Sequence, residues 1–313
     1  MKKYPLLIEP TIASSLWGGD GLNEYYNHTG KASEAYVLST LKDKPSTIIN
    51  GSLVGKTLST IFEDYPYWIH TNEPKEFPII IKLANTKDFP SVQVHPSDIY
   101  AKSHMHCLGK VEAWYIVDAE ENAGVYVGFN KDTSKEEVYE RINNGTLLDI
   151  MNFQPVKKGD IVEIDAGNLH TMTGGIKLIA IQENCDITYR MYDFDRNDVS
   201  RPLSIDEGLT VTNFNKSEHF ILKLPILLEN NNVIHKKDFA PYFTISDIST
   251  DGMALYNEDS LMWIMTLDGD LAIEYVRMGK LLTQIVPKMY SVILPRDFRC
   301  KIKNRARIIK VEF

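Results

Sequence analysis

The chain has 313 residues, 43% hydrophobic and 24% charged, an ordinary composition for a globular protein and enough length for one large or two modest cores. The formal net charge of −8 argues against a nucleic-acid partner, which needs a basic stripe for phosphates. It leaves room for a small anionic ligand, because a pocket needs only one or two local cations.

In chain order, the N-terminus begins like a signal peptide, but its apolar run stops at Glu9, too short for an export signal. No later stretch reaches the roughly 20 apolar residues that span a bilayer, so a cytoplasmic protein with no membrane contact is expected. Residues 57–65 predict a short helix. The run 77–83 (FPIIIKL) predicts a buried strand, and 91–95 (SVQVH) a second, stopped by Pro96. Ser97 can start a short helix through Ala101, and 111–117 (VEAWYIV) predicts a third strand. Ser134 with Glu137 forms a capping box, so a helix should run to Asn144-Gly145. Strands at 160–164 and 176–182 follow, then a helix at 204–211. Residues 229–233 (ENNNV) are polar and turn-rich, and a domain boundary is placed there: a catalytic domain over 1–230 and a C-terminal domain over 231–313. The tail again predicts short strands, with Asp268-Gly269-Asp270 as a hairpin turn. Its one histidine, His235, lies at its start, so no metal is expected in it. Many short strands with few helices point to an antiparallel sandwich or barrel. The three cysteines, Cys107, Cys185 and Cys300, are dispersed and are expected as reduced thiols.

Four residues stand out as metal ligands. Gln93 and His95 lie two apart on a predicted strand, and alternating strand side chains put both on one face. Glu112 opens the next strand. His170 closes Gly159-(five residues)-Asp165-Ala166-Gly167-Asn168-Leu169-His170. This spacing resembles the second cupin motif, with Asp165 in place of its proline, and Gln93-x-His95 followed by Glu112 resembles the first. The remaining histidines, His28, His70, His104, His106, His219 and His235, sit in no such pattern and read as ordinary core or surface residues.

The segments 77–101, 109–118 and 155–196, with Trp17-Gly18-Gly19, together resemble the short bacterial form of the type I mannose-6-phosphate isomerases. The match covers most of residues 15–215 and is loose in the tail. It implies an all-β fold: a cupin (jelly-roll β-barrel) metal domain followed by a second, metal-free cupin-like β domain with a few short helices. It implies one zinc-type metal on Gln93, His95, Glu112 and His170, and an essential arginine, Arg190. It also implies active-site positions for Lys82, Lys110 and Asp186. Tyr36, where the family usually has Trp, Cys185 in place of a common Ser, and Asp165 depart from its pattern without removing a ligand.

The expected reaction interconverts D-mannose 6-phosphate and D-fructose 6-phosphate by an enediol proton transfer. A divalent metal polarises the carbonyl as a Lewis acid, and the Arg190 fork stabilises developing oxyanion charge. Lys110, desolvated beside the metal, and Asp186 compete as the proton-transferring base. Lys82 is expected to bind phosphate or steady the site. Trp17 is an aromatic for the core or for the sugar. A different phosphosugar isomerase, or a non-catalytic sugar-binding or regulatory cupin, is the alternative. A histidine-poor set with Gln93 and Glu112 disfavours a redox-active oxygenase iron. A monomer or small homo-oligomer acting on a phosphosugar is expected.

Overall fold

The computed structural model describes residues 2–68, 77–196, 198–218, 220–222 and 224–313; His70 and His219 lie outside the described residues. The expected strands form at Ile79–Thr86, Val92–Val94, Glu112–Ala119, Ile161–Ile164 and Ile176–Glu183. The helices form at Leu58–Asp64, Asp98–His104, Lys135–Asn143 and Ile205–Val211. The Ser134 hydroxyl accepts from the Glu137 amide, satisfying one of the free donors at a helix start. Thr57 and Ser97 cap their helices in the same way. Among the described residues, no helix is long and apolar enough to cross a membrane.

The strands assemble into a cupin-type double sheet. A seven-stranded sheet has Glu112–Ala119, Ile176–Glu183 and Ile79–Thr86 as antiparallel neighbours at its middle. A five-stranded sheet has the order Tyr189–Tyr192, Val92–Val94, His170–Met172, Gly124–Phe129, Met151–Pro155. The C-terminal part builds a second pair, of eight and four strands.

The central strands of the seven-stranded sheet are buried on both faces, which is why their sequences do not alternate in polarity. In Ile79–Thr86, the side chains of Ile79, Ile81 and Leu83 enter an apolar core that also holds Ile245, Ile248 and Ile308 of the C-terminal sheet. Lys82, Ala84 and Thr86 point the other way and line a cavity. Glu112 and Trp114 repeat this division on the next strand, with Ala113 and Tyr115 in the shared core. Strand period sorts the residues into chemistry and packing.

The two halves also share backbone and polar contacts. Leu6–Glu9 pairs with Ser291–Leu294, and with Thr47–Ile48 it completes the eight-stranded sheet. Tyr115 donates to Asp247 at 2.7 Å, and Arg307 donates to both the Tyr115 hydroxyl (2.9 Å) and Asp247 (2.7 Å). The turn-rich stretch near residue 230 is the tip of a hairpin, with Glu229 opposite Asn232. Asn230 and Asn231 take the left-handed conformations that asparagine tolerates.

One expected turn is different. Asp268-Gly269-Asp270 is not a hairpin: Met262–Thr266 pairs with Ser291–Leu294 and Ala306–Glu312, while Leu271–Arg277 pairs with Lys280–Val286 and Phe298–Ile302. The bend carries the chain from one sheet to the other. Both flanking strands find their hydrogen bonds elsewhere, so the local turn signal loses to long-range pairing.

Candidate active site

The site lies between the seven- and five-stranded sheets, in a cavity of about 470 Å³. Val92 and Val94 pack into an apolar cluster behind the small sheet, so Gln93 between them turns to the cavity. In the sheet register Gln93 stands opposite His170 on one side and Arg190 on the other. Three predicted residues from distant parts of the chain are thereby set abreast.

His95 follows that strand, and its Nδ1 lies 3.2 Å from the Ile187 carbonyl oxygen. The Nδ1 of His170 lies 2.8 Å from the carbonyl oxygen of Asn168. A carbonyl can only accept, so each ring carries its proton on Nδ1 and presents a bare Nε2. Both Nε2 atoms, and Oε2 of Glu112, are buried without a hydrogen-bond partner. His95 Nε2 and Glu112 Oε2 stand 3.3 Å apart, and the two imidazole centroids 4.6 Å apart. Burying facing lone pairs is costly unless a cation lies between them. Among the described residues, His95, Glu112 and His170 are one group whose ligand atoms all lie within 4.8 Å of one another. Two imidazole nitrogens and a carboxylate oxygen fit a divalent metal.

Neighbours orient this set. Trp114, two residues from Glu112 on the same strand face, donates its indole N–H to Glu112 Oε1 at 2.8 Å, leaving Oε2 for the centre. Burial pushes His170 down to about 4 and His95 well below its ordinary range, keeping both neutral. Burial alone would raise Glu112, but the Lys110 ammonium, 3.6 Å from Oε2, with His95 and Lys82 adding to it, holds it well below the usual carboxylate range. Burial also lowers the pKa of Lys110 itself, against the pull of Glu112. Burial would lower Lys82 too, but the Glu34 carboxylate at 2.8 Å, Tyr36 and Glu112 together raise its pKa.

Arg190 is 6% exposed, so its ion pair with Asp193 (2.6 Å) is a buried contact and not a surface salt bridge. Its Nε donates to the Ser91 hydroxyl at 3.2 Å, while Nη1 is buried without a partner. Two sides of the fork are thus held, and one donor is left at a residue that lines the cavity. Asp186 is at the rim, paired with Lys44 at 2.9 Å. Trp17 is half-buried and lines the cavity. His104 and His106 are exposed; His28 and His235 are half-buried.

Lys44, Trp114 and Arg201 line the cavity without having been singled out in the sequence. Trp114 carried a usable signal, its i+2 spacing from Glu112 on a strand. Lys44 and Arg201 sit in polar loops and carried none.

No family model matches the chain. It is 37% identical over 215 residues to the probable mannose-6-phosphate isomerase GmuF of Bacillus subtilis, covering 66% of this chain and 68% of that protein. It is 30% identical over 286 residues to the mannose-6-phosphate isomerase ManA of the same organism, covering 86% and 87% of the two chains. The crystal structure of the mannose 6-phosphate isomerase from Bacillus subtilis superposes with a TM-score of 0.91 at 26% identity, over 100% of each chain. With the ligand spacing, the double sheet and these likenesses in agreement, the chain belongs to the mannose-6-phosphate isomerase family.

Proposed function

We propose that the protein is a metal-dependent aldose–ketose isomerase that interconverts D-mannose 6-phosphate and D-fructose 6-phosphate by an enediol proton transfer. The observation that carries this is the convergence of three buried atoms without a hydrogen-bond partner, His95 Nε2, His170 Nε2 and Glu112 Oε2, beside a cavity lined by cations. Gln93, which faces the same cavity, is proposed as the fourth ligand. One divalent metal, zinc for a set of imidazole nitrogens and carboxylate and amide oxygens, would supply Lewis-acid polarisation of the substrate carbonyl.

The chain's own residues do the rest. The free Nη1 of Arg190 donates to the oxygen on which charge develops, and its contacts with Asp193 and Ser91 hold the fork still, so little reorganisation is needed. Lys110 is the preferred group for moving the proton between C1 and C2. It is buried, its pKa is lowered by that burial, and it lies beside Glu112. Asp186 is the weaker choice, because Lys44 occupies it and it is half-exposed. Lys82, Trp17 and Arg201 line the same cavity and are proposed to hold the phosphosugar. In this proposal the chemistry belongs to residues 1–230, and 231–313 form a cupin-like β domain without it.

The test couples fructose 6-phosphate formation from mannose 6-phosphate to a dye, with and without a chelator. Turnover should vanish with chelator, return with zinc, and be lost in Arg190→Ala and His170→Ala. Folded protein that is inactive with every divalent metal would exclude this substrate.

A further inference from the structure

We infer that Lys44 is a positioning residue for the metal centre, acting through Asp186 on the carbonyl that orients His95. The inference rests on the metal reading above and goes beyond it, because Lys44 supplies no ligand atom to the centre.

The link is short and continuous. Lys44 Nζ donates to Asp186 Oδ2 at 2.9 Å. The next residue, Ile187, offers its carbonyl to His95 Nδ1 at 3.2 Å. That carbonyl selects the tautomer that leaves Nε2 bare, so whatever fixes its direction fixes a ligand. The segment lies in an irregular stretch between Ile176–Glu183 and Tyr189–Tyr192, with no strand ladder to hold it. Side-chain tethers take over that task. Asn184 Nδ2 donates to Thr40 Oγ1 at 3.4 Å, and Gln182 Nε2 donates to the Cys185 carbonyl at 2.7 Å. The loop carrying Thr40 and Lys44 therefore grips the segment at two points, and Lys44 holds the one nearest Ile187.

Lys44 is itself held. Its ammonium stands 5.1 Å from the centroid of the Tyr36 ring, with Lys82 at 5.7 Å from the same ring. Its side chain is 28% exposed, so the pair with Asp186 is partly sheltered from solvent. A wholly exposed pair would contribute little. A sheltered one in an otherwise irregular segment restricts the carbonyl it is attached to.

Zinc affinity of the purified protein, measured by competition with a chromophoric chelator and without substrate, tests this. The absence of sugar separates positioning from any contact of Lys44 with substrate. Lys44→Met and Asp186→Asn should each weaken zinc binding by several-fold, up to about 10-fold, the low end of the scale for losing a direct outer partner of a ligand. The double variant should be no weaker than either single one, and Lys44→Arg should restore affinity. Thermal unfolding of the metal-free variants checks that each is folded. Unchanged zinc affinity in folded Lys44→Met would overturn the inference while leaving the centre intact. A wild-type protein with no zinc affinity would overturn the metal centre, and this inference with it.

Discussion

Single residues here act through atoms that neighbours leave free. Trp114 illustrates this: its N–H occupies one oxygen of Glu112, so the other faces the two imidazoles. Trp114→Phe keeps an aromatic ring, though a smaller one, and strands Glu112 Oε1. It should cost roughly 1–3 kcal/mol of stability, measured by urea unfolding, and weaken zinc about 10-fold or more in chelator competition. Glu183 carries a pH dependence. Burial pushes its carboxyl from the ordinary 4.5 up to about 7, while its Oε2 accepts from the Val111 amide at 2.9 Å. The folded chain therefore holds a proton that the unfolded chain has released. Stability from this group is complete below the unfolded value and is lost as pH rises through about 7. Glu183→Gln keeps an acceptor for Val111 and cannot ionise. Calorimetry between about pH 5 and pH 8 should show the wild-type Tm falling relative to that variant; parallel profiles would contradict the assignment.

At the scale of elements, strand alternation separates chemistry from stability. Ile81 and Lys82 are neighbours, yet Ile81 enters the shared core and Lys82 lines the cavity. Ile81→Ala should cost about 2–5 kcal/mol, the range for emptying a packed site, while KM for the sugar changes little. Denaturant unfolding and steady-state kinetics on the same preparation check both halves. The strand at 77–83 was legible because an isoleucine-rich run bounded by Pro78 admits few other conformations. Its two faces were not legible, because burial on both sides removes the polar alternation that marks a half-exposed strand.

At the scale of the molecule, the C-terminal sheets support the site without lining it. The core behind Glu112–Ala119 and Ile79–Thr86 continues into Ile245, Ile248 and Ile308, and Leu6–Glu9 is paired with Ser291–Leu294. A chain ending at residue 230 would uncover that core and leave its first strand without this partner. Expressed alone, it should be insoluble or bind exposed-surface dyes; a soluble, cooperatively unfolding fragment would refute this. The Tyr115–Asp247–Arg307 contact, buried at Tyr115 and Asp247, adds a polar tie between the halves, on the strand that carries Glu112.

The motif Gln93-x-His95 is local, and so its shared strand face was legible in the sequence; the structure brings His95, Glu112 and His170 together as one group. Helix starts at Thr57, Ser97 and Ser134 were legible for the same reason, since capping is a contact between near neighbours. What only the tertiary structure decided are relations between segments far apart in sequence. These are the pairing of Lys44 with Asp186, the contact of Arg190 with Ser91, and the crossing of the 268–270 bend from one sheet to another. Each depends on which strand edges and charges meet in space. Long-range hydrogen bonds and burial set those meetings, and no interval along the chain encodes them.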